Sequence, residues 1–403
     1  MIAAALEAEV EDYLQRHCHE RDEHGHAMVV RNGKAKERTV TMGAGAVKLR
    51  APRVNDRRQD HHFSSKILPS YMRRSPRLEE ALPVLYLRGL STGDFQEALP
   101  VLLGPEAAGL SASTITRLIR TWQDEYKGWQ KRSLAGKEYV YIWVDGVHFN
   151  VRLEEDRLAC LVIVGVTIDG SKEIVALEDG YSESEEAWAS LLRDLKRRGL
   201  PAPLLAIGDG ALGFWAAVRK VYPQTKGQRC WVHKIRNVLS KLPKRLQKRA
   251  KAMLHEIMYA ENRDSALEEI HHFESEYGAK YPKAVECLTS DQDALLTFFD
   301  FPGHHWIHLR TTNPIESTFS TVRARTRKTK GAGARQAGLA MAFKLVSAAQ
   351  DRWRRIRAPH LVALVHAGVE FKDGEQVKPE QPVPVEIHNA VEVDFDVMER
   401  IAA

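Results

Sequence analysis

Between residues 138 and 221 the chain sets down three apolar stretches in close succession: EYVYIWVDGVHFNVR, RLACLVIVGVTIDG and KEIVALEDGY. A fourth, PLLAIGDG, follows the segment EEAWASLLRDLKRRG and precedes ALGFWAAVRKVY. Short apolar runs bounded by Gly and Asp read as buried strands, and the two amphipathic segments read as helices. Ser182 and Glu185 form a capping-box pattern ahead of the first helix. Three consecutive strands followed by helix–strand–helix define an α/β layer built on a mixed sheet. The longest apolar run, LACLVIVGVTI, is far too short to span a bilayer, and no signal peptide opens the chain. The four cysteines (Cys18, Cys160, Cys230, Cys287) are widely spread, which points to free thiols in a reducing cytoplasm.

The segments around this layer are simpler. Residues 1–16 read as a helix. HCHERDEHGH (17–26) reads as an exposed linker rather than a metal tract, because no second Cys/His pair stands at zinc-module spacing. Residues 38–54 suggest two short strands around a Gly-rich turn, with Arg38, Lys48, Arg50 and Arg53 able to meet phosphates. STGDFQEALPVLL and SASTITRLIRTWQDEY fit a helix-turn-helix whose second member presents Ser113, Thr114, Arg117 and Arg120. An ordinary helix pair is the alternative. The chain turns helical from about 233 to 300, forms a long helix over 336–356, and ends in a Pro-containing linker and an acidic tail.

Charge is distributed unevenly. The net charge is +6, yet residues 370–403 carry nine acids against three bases, which leaves +12 on the rest. Residues 226–251 hold ten Lys/Arg and no acid, and residues 317–350 hold seven and no acid. Such blocks suit a polyanion, most often nucleic acid; solvated helix faces are the bland alternative.

Three carboxylates stand beside core elements. Asp145 interrupts the first apolar strand, where a charge is unfavourable unless it is paired or binds a cation. Asp209 ends the fourth strand, and ligands of open α/β sheets gather at the carboxyl ends of strands. Glu316 begins a helix whose positions four, seven and eleven further on are Ser320, Arg323 and Arg327. Each acid has a plainer explanation. Asp145 could accept a buried hydrogen bond and Asp209 could form a turn. Glu316 could complete a capping box with Asn313 as the cap and Pro314 first in the helix. Taken together they suit hard divalent cations. Two such ions about 3.5–4 Å apart can activate an attacking oxygen and steady a leaving one. No G-x-x-x-x-G-K-[ST] run marks an ATP site.

In order, DG in the first strand, GDGALGFWAAV, QRCWVHKIRNV and TTNPIESTFSTVRARTRKTKG resemble the Mutator-type insertion-sequence transposases, a branch of the DDE transposases. The likeness runs from about residue 31 to 356, and acids 64 and 107 positions apart fit it. The resemblance implies a ribonuclease-H-like mixed sheet flanked by helices, an all-α insertion, and an N-terminal helical DNA-binding region. On it, 1–75 is a helix plus a small basic β segment, and 76–135 is a helix-turn-helix-like region. The catalytic domain then comprises 136–232 and 301–360, the insertion 233–300, and the linker and tail 361–403.

The resemblance also makes Asp145, Asp209 and Glu316 the catalytic, metal-binding triad for two Mg2+ (or Mn2+) ions. The implied partner is double-stranded DNA, as transposon ends and target, handled by a homodimer or higher assembly in the bacterial cytoplasm at the nucleoid, with no membrane. Cys230 and His233 match the family's Cys-x-x-His signature. Zinc there would need further ligands, with His255, His271, His272 and Cys287 as candidates; a structural or DNA-positioning role is the preferred reading. Lys234, Arg236, Arg323 and Arg327 join the DNA-contact candidates. Gly146 and His148 depart from the family pattern, and the N terminus is shorter than the pattern leads one to expect. The implied function is binding of terminal inverted repeats with metal-dependent strand cleavage and 3′-OH strand transfer. A ribonuclease-H-like structure-specific nuclease and a transposase-derived DNA-binding regulator are the alternatives.

Overall fold

The structure is a computed structural model. It describes residues 1–43, 45–88, 90, 92–103, 112–149, 158–180, 184–210, 212–328 and 334–378. Helix α1 (Ile2–Arg16) buries Leu6 and Val10, and Leu6 packs with Val40, Leu49 and Leu68 in a small satellite core. Two antiparallel ribbons supply the rest of that core: β1 (Val29–Lys34) with β4 (Pro52–Asp56), and β2 (Arg38–Met42) with β3 (Gly45–Leu49). Arg38 is engaged within the protein. Its guanidinium donates to the carbonyls of Leu68 (3.1 Å) and Pro69 (2.9 Å), which fixes the turn after β4. Arg58 forks onto both oxygens of Asp56 at 2.9 and 2.7 Å and reaches Tyr13 Oη at 2.7 Å. That fork holds the Asp56 carboxyl well below the usual carboxylate range. In the 17–26 stretch His17 pairs with Glu20 at 2.8 Å, so it serves an ion-pair network.

Helices α2 (Pro76–Arg88), α3 (Thr92–Leu103) and α4 (Ala112–Gln130) follow. The eight residues joining α3 to α4 lie outside the described set. The C-terminal half of α4 belongs to the main body. Tyr126 Oη donates to the Leu177 carbonyl at 2.8 Å, and Tyr126 and Trp129 pack on Phe343 with ring centroids 5.5 and 5.0 Å apart.

The main sheet has five strands: β5 (Tyr139–Phe149), β6 (Leu158–Thr167), β7 (Lys172–Gly180), β8 (Leu205–Gly208) and β9 (Lys226–Arg229). Their spatial order is β7-β6-β5-β8-β9. The first three pair antiparallel, while β8 and β9 run parallel to β5. This is a mixed sheet flanked by helices, as the sequence pattern predicts. Strand side chains alternate between faces, and both faces of β5 are apolar. Tyr141, Trp143 and Val147 enter one core; Ile142 and Val144 enter the other. The second core is closed by α5 (Glu185–Arg197) and α6 (Leu212–Val221) through Trp188, Leu192, Phe214 and Val218. Helix α5 is capped by Ser184, whose side chain accepts from the Ala187 N–H, and Glu185 is already its first residue. The capping box expected at Ser182 therefore gives way to a simple N-cap at Ser184; Ser182 itself is outside the described residues.

The other face is covered by helices from Trp231 onward: α7 (Trp231–Ser240), α8 (Lys244–Tyr259), α9 (Arg263–Tyr277), α10 (Pro282–Thr289), α11 (Gln292–Leu296) and α12 (Trp306–Leu309). Then come α13 (Asn313–Lys328), α14 (Arg335–Gln350) and α15 (His360–His366). One continuous core runs from Trp143 through Ile235, Leu254 and Phe273 to Phe319 and Val346, so the helical insertion and the sheet share an interior. In α8, Ala250, Met253, Leu254 and Ile257 form the buried stripe. Lys244, Arg245, Lys248, Arg249 and Lys251 occupy the exposed side, where much of the first acid-free block is displayed. Among the described residues no helix is long and apolar enough to cross a membrane.

Candidate active site

The parallel register pairs Tyr141 with Leu205, Trp143 with Ile207 and Val144 with Gly208. Asp145 and Asp209 come next on each strand. Tyr141, Trp143, Leu205 and Ile207 all enter the same core, so the period of two sends Asp145 and Asp209 to that face as well. Neighbouring strands lie roughly 4.8 Å apart, which brings the two acids to one edge of the sheet. Helices α7 and α13 pack on this face through Trp231 and Ile235, and through Ile315, Phe319 and Val322. Asp145 is half-buried.

Asp209 is held by its backbone. Its carbonyl accepts Trp215 Nε1 at 2.7 Å and Arg229 Nη1 at 3.3 Å. The Arg229 guanidinium lies over the Trp215 ring, 4.4 Å from its centroid, and Arg229 Nε pairs with Asp291 Oδ2 at 3.0 Å. One carboxylate oxygen of Asp209 accepts the Gly210 N–H. The other stands 3.8 Å from His233 Nε2.

Glu316 lies on the first turn of α13, and Oε1 is 3.6 Å from the same His233 Nε2. It does not close a capping box. The Thr312 N–H goes to Cys230 Sγ at 3.4 Å and the Asn313 N–H to Thr311 Oγ1 at 3.4 Å. The helix begins at Asn313, one residue before the sequence-based start, and the Glu316 carboxylate is left to the site. Ile315, Phe319 and Val322 bury one stripe of α13. The adjacent stripe, Glu316, Ser320 and Arg323, lines an open cleft of about 620 Å3 together with Asn313 and Ser317. Arg323 is exposed and donates to the Glu316 carbonyl at 3.2 Å.

His233 therefore stands between two carboxylates. A hydrogen bond with Cys230, then the charges of Cys230, Asp209 and Glu316, push its pKa up to about 9 against the opposing effect of burial. The imidazolium is the form these neighbours favour. Burial pushes the Cys230 thiol up, but hydrogen bonds from His233 and Thr312 outweigh it and bring the thiol below its ordinary value.

The DNA-contact candidates divide. Arg117, Arg120, Arg236 and Arg323 are exposed. Ser113 and Thr114 lie on α4 and Arg327 on α13, with side chains outside the described set. Lys234 is a correction. It is buried, and its Nζ donates to the Cys287 carbonyl at 2.7 Å and to Asp291, so it locks α7 to α10 and the start of α11 rather than facing solvent. No zinc set gathers around Cys230 and His233. His271 Nδ1 is bonded to the Leu267 carbonyl at 2.7 Å, and His272 pairs with Glu269 at 3.6 Å. Among the described residues no three His, Cys, Asp or Glu side chains stand as a group that could hold a metal ion. Asp209, His233 and Glu316 meet at ion-pair spacing. The donors at this edge are nonetheless carboxylate oxygens, the chemistry that hard divalent ions take.

Sequence reasoning missed four residues that build the site: Trp215, Arg229, Arg310 and Thr312. Arg310 is buried among the rings of Phe298, Trp306 and Tyr259, at 4.5, 5.0 and 5.2 Å, and burial pushes its pKa down to about 10. Its carbonyl accepts the Trp231 N–H at 2.9 Å, which ties the start of α7 to the approach to α13. Their neighbourhood, within GDGALGFW, QRCW and RTTNPIE, was the available signal.

A family model described as Transposase, Mutator family, matches residues 1–355. The chain is 60% identical over 297 residues to the transposase for insertion sequence element IS6120 of Mycolicibacterium smegmatis, covering 74% of this chain and 92% of the relative. It is 50% identical over 287 residues to the transposase for insertion sequence element IST2 of Acidithiobacillus ferrooxidans, covering 69% and 95%. It is 30% identical over 325 residues to the transposase for insertion sequence element IS256 in transposon Tn4001 of Staphylococcus aureus, covering 79% and 80%.

Proposed function

The chain belongs to the Mutator family of transposases, and we propose that Asp145, Asp209 and Glu316 are the carboxylates with which it cuts and joins DNA. It is an enzyme, a DNA transposase of the insertion-sequence type acting on transposon ends. On this reading it binds the terminal inverted repeats of its element as double-stranded DNA. Water attacks an end phosphodiester, and the departing 3′-oxygen takes up a proton to become a 3′-OH. That 3′-OH then attacks a target phosphodiester, whose own 3′-oxygen leaves in turn.

The observation that carries the assignment is the approach of Asp209 and Glu316, 107 positions apart, to one imidazole, with Asp145 one register step beyond the Val144–Gly208 pair. The three carboxylates would hold two Mg2+ or Mn2+ ions, which when bound would supply activation of the attacking oxygen and stabilisation of the leaving one. The protein's own part is placement. Trp215 and Arg229 fix the Asp209 backbone, α13 carries Glu316, and the exposed Arg323 guanidinium on the same stripe can receive the phosphate chain. Joining two ends to one target requires both ends in one complex, so the active form is a homodimer or higher assembly.

A strand-transfer assay with labelled terminal-repeat duplex, plasmid target and Mg2+ tests this. Covalently joined product from wild type, and none from Asp145→Asn, Asp209→Asn or Glu316→Gln, is the expected result. Cleavage without joining would make the protein a nuclease of this fold, and binding without cleavage would make it a regulator.

A further inference from the structure

We infer that Cys230 and His233 form an orienting clamp for the Asp209 and Glu316 carboxylates, and that Cys230 does so through Thr312. The inference rests on the triad assignment above and adds positioning residues to it.

Cys230 sits between β9 and α7 and is bonded in two directions. Its N–H donates to the Gly208 carbonyl at 2.8 Å, the last residue of β8 before Asp209. Its sulfur accepts the Thr312 N–H at 3.4 Å, one residue before α13. A single buried residue thus joins the strand that delivers one carboxylate to the helix that delivers the other. Thr312 extends the link. Its hydroxyl lies 3.4 Å from both Cys230 Sγ and Glu316 Oε1. A hydroxyl has one proton to give, and the carboxylate is the stronger acceptor. The sulfur then keeps the Thr312 backbone N–H beside its hydrogen bond with His233, and the hydroxyl orients Glu316. His233, three residues after Cys230 and so on the same face of α7, places Nε2 at 3.6 and 3.8 Å from the two carboxylates. Thr312 is fully buried, so these bonds do not compete with water. The spacing of the Cys-x-x-His motif matches this division of roles. Cys230 anchors both backbones, and His233, one turn on, faces both acids.

The test is Mn2+ binding to the full-length protein without DNA, read by the electron paramagnetic resonance signal of free Mn2+, with thermal melting alongside. Groups that orient metal ligands typically change affinity about 10- to 100-fold when removed. Cys230→Ala and Thr312→Val should each weaken Mn2+ binding about tenfold. Cys230→Ser, which keeps an acceptor for the Thr312 N–H, should recover most of the loss. The Cys230→Ala/Thr312→Val double variant should lose little more than either single one, because both break the same link. If Cys230→Ala does not fold, Thr312→Val against Thr312→Ser makes the same comparison. Wild-type affinity in Cys230→Ala or Thr312→Val, with Asp209→Asn and Glu316→Gln having lost the ion, overturns the clamp and leaves the triad standing. Equal Mn2+ binding by wild type and both acid variants removes the triad assignment itself. Stoichiometric zinc in purified protein, lost in His233→Ala, would overturn the clamp in favour of a zinc site.

Discussion

His233 Nε2 lies 3.6 Å from Glu316 Oε1, although 83 positions separate the two residues in the chain. The same nitrogen is 3.8 Å from Asp209 Oδ2. A cation between two carboxylates offsets a repulsion that would otherwise push them apart. Neutral isosteres at the acids should therefore keep the fold while removing the chemistry. Asp145→Asn, Asp209→Asn and Glu316→Gln should each lower strand transfer by about 10³-fold, on the scale of losing a preorganised charge-stabilising group. Gel-shift affinity for the terminal repeat should remain near wild type. Loss of binding in step with activity would assign these acids to structure instead.

Arg323 and Lys234 separate two kinds of basic residue. Arg323 is exposed on the cleft stripe, so Arg323→Ala should weaken end binding and reduce the salt slope by about one unit, as one phosphate contact is lost. Lys234 is engaged inside the protein by Asp291 and the Cys287 carbonyl. Lys234→Ala should leave the salt slope unchanged and lower stability by about 2 kcal/mol, because a half-buried carboxylate loses one of its two cations. Affinity measured at several salt concentrations, with a denaturant curve for each variant, distinguishes the two.

The contrast shows what a linear sequence reveals. The sheet was legible because both faces of β5 and β6 are apolar, and that pattern has few other uses. Asp145 and Asp209 stood out because one interrupts and the other follows the end of such an element, and Glu316 because it heads a helix whose next 34 positions hold no other acid. Residues 226–251 looked uniformly basic, yet Lys234 faces inward while Lys244 and Lys248 face out. Charge composition carries no record of which side of a helix meets a half-buried aspartate 57 positions away. Thr312 was invisible for the same reason: its role depends on Cys230, 82 positions earlier. The cap of α5 was misplaced by two residues because Ser182 satisfies the Ser-x-x-Glu pattern, whereas Ser184, which makes the cap, is followed three residues on by Ala187 and carries no such signal.

His305 should make the fold acid-sensitive. Its ring is fully buried, with Nδ1 2.8 Å from Tyr141 Oη and Nε2 3.2 Å from the Ala358 carbonyl. Burial pushes its pKa down to about 4. In the unfolded chain an imidazole titrates near 6.5. Between those values the unfolded chain binds a proton that the fold excludes, so stability is complete above about pH 6.5 and falls as the pH drops toward 4. By pH 5 the loss from this residue is on the order of 1–2 kcal/mol. His305→Gln, which retains a polar side chain without a titration in this range, should show a smaller change between pH 7 and 5. Parallel curves for the two proteins would place the acid sensitivity elsewhere.

Trp215 supplies the sharpest test of how Asp209 is positioned. Its indole N–H donates to the Asp209 carbonyl at 2.7 Å, and its ring supports Arg229, which donates to the same oxygen. Gly227 admits the ring: a Cβ there would lie 2.8 Å from Trp215 Cζ3. Trp215→Phe keeps an aromatic platform and removes one hydrogen bond, so stability should fall by about 1 kcal/mol. Strand transfer should fall about tenfold through kcat rather than through end binding, because the carbonyl that fixes Asp209 is left with Arg229 alone. Gly227→Ala should produce a similar loss of activity from the other side, by displacing the ring rather than deleting its N–H. Activity equal to wild type in both variants would show that Asp209 is positioned without Trp215.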